Sequence, residues 1–368
     1  MAFDPRRPYN DLPPLPPRAD IETRSILKAA IGAARMLEGL KQAGERVPNQ
    51  SVLIHTIPLL EAQVSSEIEN IVTTADSLFR LASDERAAAD PATKEALRYR
   101  TALHNGFRGI RDRPLGTNTA VDICRTLRGI DVDIRTTPGT YIGNPPTGEV
   151  LYTPPDGADR IRGMLANWER FIHEARQIDP LIRLAVMHYQ FEAIHPFTDG
   201  NGRTGRILNI LFLVQEGLLE IPVLYLSRHI LRNRAEYYRL LRGVTEEQAW
   251  EPWIVFMLEA VERTARWTFA KILAIRQLLD ATYDHVRARR PNVFSRELVE
   301  TVFVQPYCRI GNLVAAGLAK RQTASVYLKA LADIGVLREE KVGREKLFLH
   351  PRFLRLLTTD DNTFEPYP

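Results

Sequence analysis

The sequence predicts a mainly α-helical protein that also carries two small β-hairpins. Three observations lead there. Apolar residues recur at helical spacing through most of the chain, as in Ile26, Ala30, Ala33 and Leu37. Paired β-leaning runs occur at two places, each bounded by turn-forming residues. A glycine-bearing stretch packed with polar groups, residues 194–206, is entered by one helical pattern and left by another.

Composition narrows the class. A chain of 368 residues is long enough for two or three domains. Its 49 basic and 45 acidic residues nearly cancel, so charge alone does not point to nucleic acid. The two cysteines, Cys124 and Cys308, are far apart and in no metal-type spacing, which fits a reducing compartment. No apolar run approaches a membrane span, and the N-terminus lacks a signal-peptide core. The expectation is a soluble, cytoplasmic protein with no membrane partner.

Residues 1–19 hold six prolines and read as an extended arm lying on the core. A helix follows from about Asp20 to Gln42, broken at Val47-Pro48-Asn49. Ile54 to Pro58 reads as an apolar strand or turn, with Pro58 opening a helix from Leu59 to about Ile68. Asn70 suits a left-handed helix stop. Residues 71–90 read as helix plus loop, and Pro91 to Arg111 and Thr117 to Leu127 as helices, the second capped by Thr117 or Asn118. Residues 129–157 are rich in Gly and Pro around Thr140-Tyr141-Ile142 and Glu149-Val150-Leu151-Tyr152, a hairpin pattern.

Ala158 to Arg176 is helical, and Asp179-Pro180 starts the next helix as cap and first residue. That helix runs to Ile194. Another spans Arg203 to about Gln215 and stops at Gly217. Residues 229–243 and 247–285 supply two more, with Trp250, Trp253, Phe256, Trp267 and Phe269 as core aromatics. Beyond Pro291, three short helices (295–301, 309–318 and 322–334) precede strands 336–340 and 346–349 around Val342-Gly343-Arg344. Three helices and a hairpin are the pattern of a winged helix-turn-helix. Lys320, Arg321, Gln322, Thr323 and Ser325 at the start of its third helix suit DNA contact, while Asp333, Glu339, Glu340 and Glu345 oppose it.

Chemistry concentrates in Ile194-His195-Pro196-Phe197-Thr198-Asp199-Gly200-Asn201-Gly202-Arg203-Thr204-Gly205-Arg206. Glycines allow close backbone approach. The following helix offers free N–H groups and a positive dipole end to an anion. Arg203 and Arg206, one turn apart, reach the same phosphate chain. His195 is a candidate base and Asp199 a candidate Mg²⁺ ligand.

These residues resemble the HPFx(D/E)GNGRxxR signature of the Fic family. At ordinary residue frequencies a chance match is on the order of 10⁻¹⁰ per start position, so the likeness carries weight. The resemblance implies a Fic-type helical core with a β-hairpin flap. It implies transfer of AMP from ATP to a hydroxyl of a target protein, with auto-AMPylation. It also implies that His195 is the base, that Asp199 binds Mg²⁺, and that Gly200, Asn201, Gly202, Arg203 and Arg206 hold the phosphates. The related Doc kinases break the Gly-Asn-Gly-Arg part, which is intact here. Tyr238 falls where the family often has an adenine-pocket aromatic; Thr245 stands where some relatives carry Asn. Ser65-xxx-Glu69-Asn70 is similar to the family's inhibitory (S/T)xxxE(G/N) motif, which implies that Glu69 competes for Arg206 with Ser65 assisting. In the family this position holds the flap, so the resemblance implies that Tyr141 and Ile142 pin a target strand.

The expected division is an N-terminal arm and helical region with the inhibitory helix (1–110), a catalytic core (111–288) and a winged helix (289–368). A homodimer and DNA contact through the winged helix are left open. The alternative function is a DNA-binding regulator whose Fic portion senses a nucleotide.

Overall fold

The computed structural model describes all residues except 1–2, 83–89, 145–147 and 343–344. The expected turn residues Pro145, Pro146, Gly343 and Arg344 therefore lie outside the described residues. The N-terminal arm runs without regular structure along the core, burying Leu12 and Leu15. Asn167 holds it by accepting from Leu15 N at 2.7 Å and donating to Leu15 O at 3.0 Å.

Helix α1 (Arg24–Glu45) is capped by Thr23 and packs along the longest helix of the chain. Helix α2 (Ser51–Ile68) corrects the expectation for residues 54–68: there is no strand, and Pro58 sits inside one continuous helix. Pro58 removes a single backbone bond. Burial of Val52, Leu53, Ile57, Leu59 and Leu60 on several sides offsets that loss. Asn70 ends the segment with φ 63°.

Next come α3 (Ala75–Leu81), α4 (Pro91–Gly109) and α5 (Thr117–Arg128). The cap of α5 is Gly116, not Thr117 or Asn118; Thr117 instead bonds Glu169 through its hydroxyl at 2.7 Å. Strands β1 (Ile142–Asn144) and β2 (Glu149–Tyr152) form an antiparallel hairpin, with Tyr141 just outside it. Helix α6 (Ala158–Glu174) then leads to α7 (Pro180–Ile194), capped by Asp179.

Helix α7 is apolar nearly all round because it is enclosed nearly all round. Trp168 and Trp253 each donate an indole N–H to its backbone, at Met187 O and Ala185 O, both at 2.9 Å. Helix α8 (Asn201–Gln215) packs against α7, and Gly217 ends it with φ 70°. The single helix expected over 229–243 is two: α9 (Ser227–Arg232) and α10 (Arg234–Glu247). They part at Asn233, whose φ of −124° leaves the helical region. Helix α11 (Trp250–Arg289) spans 40 residues and carries α1 on one side.

The C-terminal module holds α12 (Arg296–Phe303), β3 (Tyr307–Arg309), α13 (Ile310–Ala315), α14 (Arg321–Asp333), β4 (Arg338–Val342), β5 (Glu345–Leu349) and α15 (Pro351–Thr358). Its antiparallel sheet has the order β3-β5-β4, one strand more than expected. β3 is three residues long, too short for an alternation signal. Helix α15, also unexpected, lays Phe353, Leu356 and Leu357 into the core. Lys271 of α11 fixes its end by donating to Leu356 O at 2.6 Å and Thr359 O at 2.9 Å. Tyr307 donates to Asp76 of α3 at 2.5 Å, so the module is joined to the helical core through α3 and α11.

Candidate active site

The loop between α7 and α8 is built from its own side chains. Asn201 accepts from Phe197 N at 2.9 Å and donates to Phe197 O at 2.8 Å. Its amide is thus spent on closing the loop. Phe197 is buried and packs beside Phe191. Gly200 turns the chain into α8 with φ 88°, a conformation L side chains rarely adopt.

His195 ends α7 in a left-handed conformation, φ 49° and ψ 60°. A buried arginine holds it there. Arg135 donates from Nε to His195 O at 2.8 Å and from Nη2 to Ile194 O at 3.3 Å, and also bonds Pro155 O. Its own N–H reaches Pro196 O at 2.9 Å. Desolvation, and then the Arg135 charge, push the His195 imidazole down to about 4. At neutral pH this imidazole is unprotonated, the form a general base requires.

The arginines of α8 are buried and already engaged. Arg206 donates from Nε to Ser65 Oγ at 2.8 Å, and from Nη2 to Ser65 O at 2.9 Å and Glu69 Oε1 at 2.8 Å. Burial opposes the Glu69 charge, yet Arg206 and Arg203 hold its pKa below the ordinary value. The Glu69 carboxylate also fills the space over Gly202, where an added Cβ would overlap Oε1. Arg203 pairs with Glu95 of α4, and its Nη2 lies 3.7 Å from Asp199. Asp199 is itself paired with Arg128. Arg203, Arg206 and Asp199 therefore each have a counter-ion within the protein.

Asp199 is half exposed and is the loop's one carboxylate. One carboxylate completed by substrate oxygens and water is a donor set that Mg²⁺ accepts. Among the described residues, no group of three His, Cys, Asp or Glu could hold a metal by itself. The residues thus fit an ion that arrives with a phosphate chain.

Other expected residues are placed as follows. Tyr238 is 43% exposed and stands edge-on to Tyr237, near Arg234. Arg234 bonds Asn70, which sets α10 beside the end of α2. Tyr237 is buried and bonded to His188 at 2.9 Å. His188 stacks on Trp253, and burial pushes it down to about 3, as for a structural histidine. Tyr141 is exposed. The hairpin that carries Ile142 is tied to α7 through Tyr152, which donates to Ala193 O at 2.7 Å. Sequence reasoning missed Glu95, Arg128 and Arg135. A charged residue on a helix or in a turn-rich stretch carries no periodic signal; only the fold shows what it meets.

The helical core, the glycine-bounded loop and the arginine-bearing helix are those of a Fic-type protein. The chain matches the Fic/DOC family N-terminal model over residues 27–108 and the Fic/DOC family model over 118–213. Residues 278–353 match the model described as "Protein adenylyltransferase SoFic-like, C-terminal domain". The chain thus carries Fic/DOC family domains, followed by a SoFic-like C-terminal domain.

Among curated relatives it is similar to a probable protein adenylyltransferase of Aquifex aeolicus, 38% identical over 25% of this chain and 26% of that protein. It is also similar to protein adenylyltransferase fic-1 of Caenorhabditis elegans, 45% identical over 17% of this chain and 11% of that one. The chain spans about a quarter or less of the length of these relatives. A crystal structure of a Fic family protein from Desulfovibrio desulfuricans shares the fold, with TM-score 0.55, 19% identity, and coverage of 89% of this chain and 96% of that one. A Fic-domain signalling protein from Bacteroides thetaiotaomicron gives TM-score 0.50, 17% identity, and coverage of 67% and 95%. No helix among the described residues is long and apolar enough to cross a membrane.

Proposed function

We propose that this chain is a protein adenylyltransferase that moves AMP from ATP onto a hydroxyl of a target protein and of itself, restrained by Glu69. The observation that carries this reading is the assembled loop: an unprotonated His195 at one end, and the N-terminus of α8 with Arg203 and Arg206 at the other. In the reaction, the hydroxyl oxygen bonds to the α-phosphorus and gives its proton to His195. The bond from that phosphorus to the bridging oxygen breaks, and pyrophosphate leaves with the bridging oxygen and its electron pair. Gly200, Gly202 and the first amides of α8 line the phosphate path, and Arg203 and Arg206 neutralise the departing charge. Mg²⁺ held at Asp199 would supply further charge neutralisation to the phosphates. Tyr238 borders the adenine, and the β1–β2 hairpin with Tyr141 and Ile142 aligns the target strand. The two cysteines are buried and unbridged, which suits a reducing cytoplasm.

We assign residues 1–110, 111–288 and 289–368 to the restraining region, the catalytic core and the winged helix. A DNA-binding role is the second reading, favoured by the exposed Lys320, Arg321, Gln322 and Thr323 at the start of α14. Incubation with ATP labelled on the α-phosphate separates the two. Label on protein supports the transferase; salt-sensitive DNA binding with no label on protein supports the regulator.

A further inference from the structure

The restraining helix α2 is clamped on one side and borders a cavity on the other. Glu61, Ser65 and Glu69 fall at four-residue spacing and so share one face. Ser65 and Glu69 meet Arg206. Glu61 is wholly buried and receives three hydrogen bonds from other helices. Ser227 of α9 donates its backbone N–H to Oε2 at 3.0 Å and its hydroxyl to Oε1; Tyr99 of α4 donates to Oε1 at 3.2 Å. The opposite face of α2, with Leu60, Gln63 and Val64, lines a cavity of about 560 Å³. Its far walls are α3, α9, Trp267 of α11 and the end of α15. The helix therefore has a recess behind it and a clamp in front.

We propose that Glu61 is the latch of the restraint: a positioning residue that seats α2 against Arg206, with the cavity as the space into which α2 withdraws. The inference rests on the transferase reading above and names how that site is regulated. A carboxylate accepts at both oxygens, which three converging donors require. A glutamine at 61 accepts at one atom only, so the Ser227 and Tyr99 hydroxyls must turn round and accept from its NH₂, which exchanges charge-assisted bonds for weaker neutral ones. Loosening the clamp shifts α2 toward the recess, draws Ser65 and Glu69 from Arg206, and frees the guanidinium for phosphate. Damage to a merely structural contact lowers activity; release of a latch raises it.

The test measures auto-labelling by the full chain with α-labelled ATP at matched protein concentration. The set is wild type, Glu69→Gly, Glu61→Gln and the double variant. Glu61→Gln is expected to raise labelling at least about threefold. The double variant should label no faster than Glu69→Gly alone, because both changes release the same arginine. Activation by Glu69→Gly alongside a folded, unactivated Glu61→Gln overturns the latch and leaves the transferase reading standing. A silent Glu69→Gly overturns the restraint itself, and the latch with it. If Glu61→Gln does not fold, Ser227→Ala and Tyr99→Phe, which remove donors to the same carboxylate, decide: a rise in either supports the latch, and no rise in both overturns it.

Discussion

Arg206 Nη2 lies 2.8 Å from Glu69 Oε1, on a guanidinium that is 1% exposed. A buried charge of this kind needs a partner at all times. On the proposed reading, Glu69 and a triphosphate are alternative partners for it.

Glu69→Gly is therefore expected to raise AMP transfer by about tenfold or more, since removing the competitor lets the phosphates settle in line with the attacking oxygen. Glu67→Gly should have little effect, because residue 67 does not share the face of Ser65 and Glu69. Auto-labelling with α-labelled ATP reads both variants, and equal rates for wild type and Glu69→Gly would falsify the competition.

His195→Ala should abolish transfer while ATP binding survives, because the imidazole moves a proton and holds no phosphate. The pH profile adds a second check. His195 titrates near about 4, below the ordinary value of about 6.5. The base is lost only when pH falls through that lower value. The acid limb of kcat/KM, which reports the free enzyme, should lie near 4. A limb centred near the ordinary histidine value would contradict the desolvated imidazole.

Ile142→Pro tests the hairpin. Ile142 opens β1 opposite Tyr152. Proline there removes a main-chain donor and disturbs the edge a target strand would join. Target labelling should fall more than ATP affinity, measured by calorimetry on the same preparation. Equal target labelling by the variant and wild type ends the flap assignment.

Asn201→Ala removes both bonds to the Phe197 backbone and leaves a buried N–H and C=O unpaired. A loss of about 1–3 kcal/mol in unfolding free energy is expected. Urea denaturation at fixed pH measures it; an unchanged midpoint would show that the loop closes without this amide.

Glu192→Gln should stabilise the protein at alkaline pH. Glu192 Oε1 is buried without a hydrogen-bond partner among the described residues, and burial pushes the carboxyl up to about 7. Its folded pKa thus exceeds the unfolded value, so the folded state binds the extra proton between the two. This residue's contribution to stability falls as pH rises toward and past 7. The neutral variant escapes that loss. Its melting temperature should exceed wild type by about 2 °C at pH 8, with a smaller gap at pH 5. A gap independent of pH would trace the gain to packing instead.

Local pattern in the chain determined the helices around the site, the loop between α7 and α8, and the line of Ser65 and Glu69 on one face of α2. These follow from short-range rules: helical spacing, caps, glycine at positive φ, and charges one turn apart. The continuous α2 through Pro58, the break at Asn233, strand β3 and helix α15 were not legible, because tertiary packing outweighs local preference there. The same holds at the site. Residue types singled out His195, Asp199, Arg203 and Arg206 as the candidate chemical groups. That Arg135 grips the carbonyl of His195, that Glu95 and Arg128 occupy Arg203 and Asp199, and that Glu61 anchors α2 from within was decided by the fold alone. These contacts join residues far apart in sequence. A buried charge takes whichever counter-charge or donor the packing of helices brings near, and no spacing along the chain records that.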